Sequence, residues 1–74
     1  MIDELSQAVL TRNIPEHALA AGDIGAVVHC YPGGEYEVEF VTGSGNTVAL
    51  LHLTDADVRP LSDDELLHAR IFQR

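Results

Sequence analysis

Between Glu35 and Phe40 the chain alternates acid and apolar residue without a break: Glu-Tyr-Glu-Val-Glu-Phe. Successive side chains of a strand point to opposite faces. Tyr36, Val38 and Phe40 therefore share one face, predicted to be core, and Glu35, Glu37 and Glu39 share the other, an acidic ladder in water. This strand, Glu35 to Val41, is bounded by two strong turn signals. Pro32-Gly33-Gly34 precedes it, with a proline that presets φ and glycines that accept positive φ. Thr42-Gly43-Ser44-Gly45-Asn46 follows it as a hairpin loop. A strand from Ile24 to Tyr31 leads in, and one from Thr47 to Leu53 leads out. Gly25, inside the first of these, marks a bulge, a bend or a close backbone approach.

The flanks are less regular. Leu5 to Leu10 reads as the opening strand, with helix as the alternative because Asp3 and Glu4 suit a helix start. Residues 11–21 form a connection in which Pro15 biases Ile14 to an extended conformation, and Ile14 and Leu19 fold back as anchors on the core. Asp55-Ala56-Asp57 makes a tight turn into a short fifth strand at Val58-Arg59, ended by Pro60. Ser62-Asp63-Asp64-Glu65 has the form of a capping box, which predicts a helix over about 62–72. Its apolar side would carry Leu66, Leu67, Ala69 and Ile71, with Leu67 and Ile71 four apart and facing together. Five short strands, a long first loop and tight hairpins predict an all-β fold: a small SH3-like five-stranded barrel over about 5–60, with a short C-terminal α-helix. An OB-type barrel is disfavoured, since the chain is too short for five long strands and an internal helix.

Length sets one domain, 1–74, with a modest core. The single cysteine, Cys30, excludes an intrachain disulfide and points to a reducing cytoplasm. The acidic opening, Asp3-Glu4, lacks the basic region of a signal peptide, and no apolar run approaches the ~20 residues of a membrane span. Twelve acids face four arginines and no lysine, a net charge of −8. Such a chain repels phosphate backbones and anionic lipid headgroups, so neither nucleic acid nor membrane is expected as a partner. A larger protein with a basic surface is the electrostatically natural one, and a homo-oligomer is compatible with the sequence.

Gly22-Asp23-Ile24-Gly25, Val27-Val28-His29 and Tyr31, then Tyr36 to Phe40 and Asp57-Val58-Arg59-Pro60, resemble a small bacterial domain-of-unknown-function family. Its members carry Gly-Asp-Ile-Gly-x-Val-Val-His-x-Tyr followed by Tyr-Glu-Val-Glu-Phe. The resemblance runs from Leu19 to Arg59 and implies a free-standing SH3-like barrel, an accessory partner of larger proteins, in some members similar to antitoxin or immunity components. At its glycines and valines the segment also resembles the KOW motif of ribosomal and transcription-elongation proteins. KOW domains that bind RNA are typically basic, and this chain departs from them there.

Residue chemistry points away from catalysis. His29 and Cys30 are adjacent in a strand and point to opposite faces, while His17, His52 and His68 lie in separate elements without ligand-like spacing. No metal or other cofactor is expected. Cys30 lacks the electropositive setting of a nucleophile and reads as a small buried hydrophobe. The strand-surface acids lack the burial that would raise a carboxyl pKa for acid–base work. The expected function is a non-enzymatic protein-interaction module, of antitoxin, immunity or accessory type. It would dock on a basic partner through Glu35, Glu37 and Glu39 or through Leu67 and Ile71 of the terminal helix. The alternatives are a KOW-like RNA binder, which requires the arginines to gather on one face, and a structural subunit of an enzyme complex.

Overall fold

The computed structural model describes residues 2–73. Five strands, β1 (Gln7–Leu10), β2 (Ile24–Tyr31), β3 (Glu35–Val41), β4 (Thr47–Thr54) and β5 (Val58–Pro60), form one antiparallel sheet in the order β4-β3-β2-β1-β5. A single 3₁₀ turn, Pro15–His17, interrupts the first connection.

Chain length forces this sheet to curl. β4 and β5 are its opposite edges, yet only Asp55, Ala56 and Asp57 lie between them. Four Cα steps of ~3.8 Å reach about 15 Å at most. Five strands laid flat at ~4.8 Å spacing would hold the edges about 19 Å apart. The turn is also stitched across to the end of β1. Thr11 donates its backbone N–H to the Asp57 carbonyl (2.8 Å) and its hydroxyl to the Ala56 carbonyl (2.7 Å). Arg12 Nε donates to Asp57 Oδ1 (2.8 Å).

The alternation in β3 does what its period requires. Tyr36, Val38 and Phe40 are buried and join Ala8, Leu10, Val27, Ala49, Leu53 and Val58 in one cluster fed by all five strands. Ile14 and Leu19 pair as a lone antiparallel bridge and are both buried, so the first loop is anchored as its sequence predicts. Gly25 is a close approach rather than a bulge. A Cβ there would lie 2.7 Å from Val38 Cγ1 and 2.8 Å from Phe40 Cε1. The bulge sits further along β2, between Val27 and His29.

Three boundaries move. β1 begins at Gln7, not Leu5, because a turn closed by the Ser6 N–H on the Asp3 carbonyl leaves Leu5 exposed at φ 69°. β4 runs one residue further, to Thr54, and β5 includes Pro60. On an edge strand a proline leaves one face of the ladder without a donor at no cost to the sheet.

The larger correction concerns 62–72, where no helix forms: the segment is irregular apart from a turn at Asp63–Asp64. Half of the capping box is present. Ser62 N–H donates to Glu65 Oε1 (2.7 Å), but the Ser62 hydroxyl also donates to that carboxylate (3.0 Å) instead of receiving the Glu65 N–H, which goes to the Ser62 carbonyl (3.1 Å). Arg59 takes the same carboxylate with two bonds of 2.7 Å. A helix of this length is marginal without a packing surface, and Leu66, Leu67 and Ile71 find none, being 92%, 66% and 81% exposed. Ion pairs at Glu65 and Arg70 hold the segment against the domain instead.

Candidate docking face on the outer side of the sheet

β3 lies between β2 and β4, so its outward glutamates are flanked on both sides. Cross-strand registers place Glu37 opposite His29 and His52, Glu35 opposite Tyr31 and Thr54, and Glu39 opposite Ala26 and Leu50. Glu35, Glu37 and Glu39 do share one face, as predicted, but the ladder is not bare. His52 bridges two of its rungs, with Nε2 2.6 Å from Glu35 Oε1 and Nδ1 3.3 Å from Glu37 Oε1. The Tyr31 hydroxyl donates to Glu37 Oε1 (3.5 Å), and the Thr47 hydroxyl donates to Glu39 Oε2 (2.9 Å). Tyr31 stacks on His52 (centroids 4.9 Å, 28° between planes) and meets His29 edge-on (4.6 Å, 76°). His29 Nδ1 in turn lies 3.3 Å from Glu4 Oε2. The result is a continuous surface of carboxylates and rings, about half exposed at Glu35 and His52, with exposed Leu50 and Val28 on the same sheet.

The rings escape a reading by alternation. Counting by twos from buried Val27 would send His29 and Tyr31 inward and Cys30 outward. The bulge between Val27 and His29 reverses that parity. Cys30 accordingly packs against the core and donates its thiol to the Ile2 carbonyl (3.3 Å). Burial and the nearby Glu4 and Asp3 charges hold its thiol pKa above the ordinary value, the opposite of an activated nucleophile. The only sequence-level hint of the ring cluster is a His-x-Tyr pair facing an isolated His52 two strands away.

The Glu35 hydrogen bond raises the His52 pKa, assisted by charge interactions with Glu35 and Glu37 and opposed by desolvation. The stabilisation from this contact is therefore fully present below the unfolded-state pKa of histidine. It is lost as pH rises through the higher folded value. Above that point the imidazole is neutral and both carboxylates stand uncompensated. A proton NMR titration is expected to place His52 above the ordinary histidine range and to bring it back down in a Glu35→Gln variant. An unchanged midpoint in that variant would show that the contact does not form.

The other predicted contact residues lie elsewhere. Leu67 and Ile71 project from the irregular C-terminal segment, whose ion pairs run to Arg59 and Asp23 and not to the glutamates. The three described arginines present no unpaired guanidinium to a phosphate backbone. Each of the three that are described is committed to a carboxylate: Arg12 to Asp57, Arg59 to Glu65 and Arg70 to Asp23. Arg74, the fourth in the sequence, lies outside the described residues. Among the described residues, no group of three His, Cys, Asp or Glu is arranged to hold a metal ion. Among those residues, too, no helix is long and apolar enough to cross a membrane.

No curated protein and no solved structure matches the chain. A family model does, over residues 4–60, which span all five strands and the whole of the ring-and-carboxylate face. By that match the chain belongs to the family described as Domain of unknown function (DUF4926).

Proposed function

We propose that this protein is a non-enzymatic interaction module, an SH3-like barrel that docks on a larger, basic-surfaced protein through the outer face of β2, β3 and β4. The order β4-β3-β2-β1-β5 and the three-residue link between opposite edges support the barrel. The observation that carries the docking face is the cluster of Glu35, Glu37, Tyr31 and His52. Its carboxylates attract cations, and its stacked rings offer the flat faces on which an arginine guanidinium packs. A net charge of −8 steers a basic partner toward the molecule, and the pairing of every described arginine argues against RNA.

The most concrete version is antitoxin- or immunity-type action in the bacterial cytoplasm, where the acidic face masks a cationic active site. Replacing Glu35, Glu37 and Glu39 together by lysine tests the assignment. These side chains are partly or well exposed, so the fold is expected to survive, as read by circular dichroism. Retention of the partner on the immobilised variant is expected to fall at least about tenfold, the effect of losing roughly 1.4 kcal/mol of charge complementarity. Undiminished retention by a folded variant would remove this face from the account.

A further inference from the structure

The segment after Pro60 lies beyond the residues that the family model matches, yet it is fastened to residues within them. Arg70 donates from Nε to Asp23 Oδ1 (2.8 Å) and from Nη2 to Asp23 Oδ2 (2.6 Å), and Nη2 also donates to the Ala18 carbonyl (3.1 Å). The receiving socket belongs to the folded domain. The Asp23 side chain is only 17% exposed, and its Oδ2 accepts the Ala20 N–H at 2.8 Å. Ala18 closes the 3₁₀ turn in the left-handed region, at φ 57°. Two parallel bonds to one carboxylate with a third to a carbonyl match the planar fork of a guanidinium, whereas an ammonium is a point donor. With Arg70 seated, its hydrogen bonds hold the Asp23 carboxyl below its ordinary pKa against burial, which raises it.

Two residues on, Phe72 is half-buried. A cavity of about 250 Å³ lies between the tail and Leu19, Ile24, Phe40, Thr42 and Val48. The tail thus covers this groove without filling it. Its described residues form no helix or strand and leave Leu67 and Ile71 in water. Past the Arg59 fork on Glu65 at its root, such a cover is held chiefly by the Arg70 fork.

We propose that this groove is a second docking site, for an extended arginine-bearing segment of a basic protein, and that the chain's own Arg70–Phe72 tail is its tethered competitor. The site is separate from the glutamate face and stands or falls independently of it. The acidity of the chain favours a cationic occupant, and Arg70 displays the chemistry that the socket accepts. A tethered ligand is present at high effective concentration, so an outside segment binds only in proportion to the time the tail is away.

The test uses the full-length chain and a labelled peptide with the sequence of residues 66–74, followed by fluorescence anisotropy. Arg70→Ala in the protein releases the tail and is expected to tighten binding of the peptide about tenfold over wild type. A peptide with glutamine in place of its first arginine, the counterpart of Arg70, is expected to lose binding. That arm is independent of how any protein variant folds. Asp23→Asn combined with Arg70→Ala is expected to abolish binding, with thermal unfolding as the check on its fold. Equal binding to wild type and to Arg70→Ala, or equal binding of the arginine and glutamine peptides, would overturn the proposal. A wild-type dimer that Arg70→Ala dissociates would assign the groove to a second copy and overturn it too.

Discussion

Phe40→Ala is expected to leave the protein largely unfolded at room temperature. The ring is 2% exposed and lies in the one cluster that all five strands share. It packs so closely on β2 that Gly25 has no space for a Cβ. Emptying a site of this kind costs about 3–5 kcal/mol, because transfer and cavity contributions add. A domain of this size has only about 3–5 kcal/mol from its core to lose. Far-ultraviolet circular dichroism and amide shift dispersion read the outcome directly. A cooperative melt within a few degrees of wild type would mean that Phe40 is not a central member of the core.

Gly34→Ala is expected to cost about 2–5 kcal/mol, the sum of a left-handed backbone penalty and the loss of a part-buried hydrogen bond to the buried Tyr36 hydroxyl. Gly34 has φ +76°, and a Cβ there would fall 2.1 Å from Asp55 Oδ2. Asp55 cannot withdraw freely. Its Oδ1 accepts the hydroxyl of Tyr36 at 2.5 Å, and its N–H donates to the Gly34 carbonyl at 3.0 Å. Tyr36 is 1% exposed and its oxygen also accepts the Ile2 N–H at 3.3 Å, so pushing Asp55 aside strips a buried tyrosine of its partner. The same hydrogen bond to Asp55 is the main reason the Tyr36 pKa is raised. Gly33 provides the control. It has φ +83° with nothing within 4 Å of a Cβ, so Gly33→Ala carries the backbone penalty alone, about 1–2 kcal/mol. Equal destabilisation by the two substitutions, measured by denaturant unfolding, would contradict the steric role of Asp55.

These two positions also show where the sequence was informative. Phe40 and Tyr36 were legible as core because β3 keeps strict period two, and Gly33-Gly34 was legible as a turn. Which of the two glycines is hemmed in depends on Asp55, nineteen residues after Tyr36, and no local pattern records that. The central strands were readable to within a residue for the same reason: strong alternation between strong turns. The outer face was half readable. Its glutamates follow from alternation, but His29 and Tyr31 depend on a bulge whose position a single sequence does not mark.

The terminal segment misled for an instructive reason. Ser62 and Glu65 do form a local hydrogen-bonded turn, so the capping signal was physically sound. Helix propagation was outweighed by contacts outside the helical pattern, the Arg59 fork on Glu65 six residues away and the Arg70 fork on Asp23 47 residues away. The Arg59 fork and the Ser62 bonds lower the Glu65 pKa to about 2. This attachment persists through the neutral and mildly acid range and is lost only as pH falls through that value.

A basic protein, and not a nucleic acid, is the proposed occupant of the face formed by Glu35, Glu37, Tyr31 and His52. Affinity capture with the immobilised protein from its native lysate, with and without nuclease and at low and moderate salt, tests this assignment most directly, run beside the Glu35→Lys, Glu37→Lys, Glu39→Lys variant. One stoichiometric basic protein is expected, which survives nuclease, binds more weakly as salt rises and is lost from the variant. Recovery of RNA, or loss of every partner after nuclease, would contradict it.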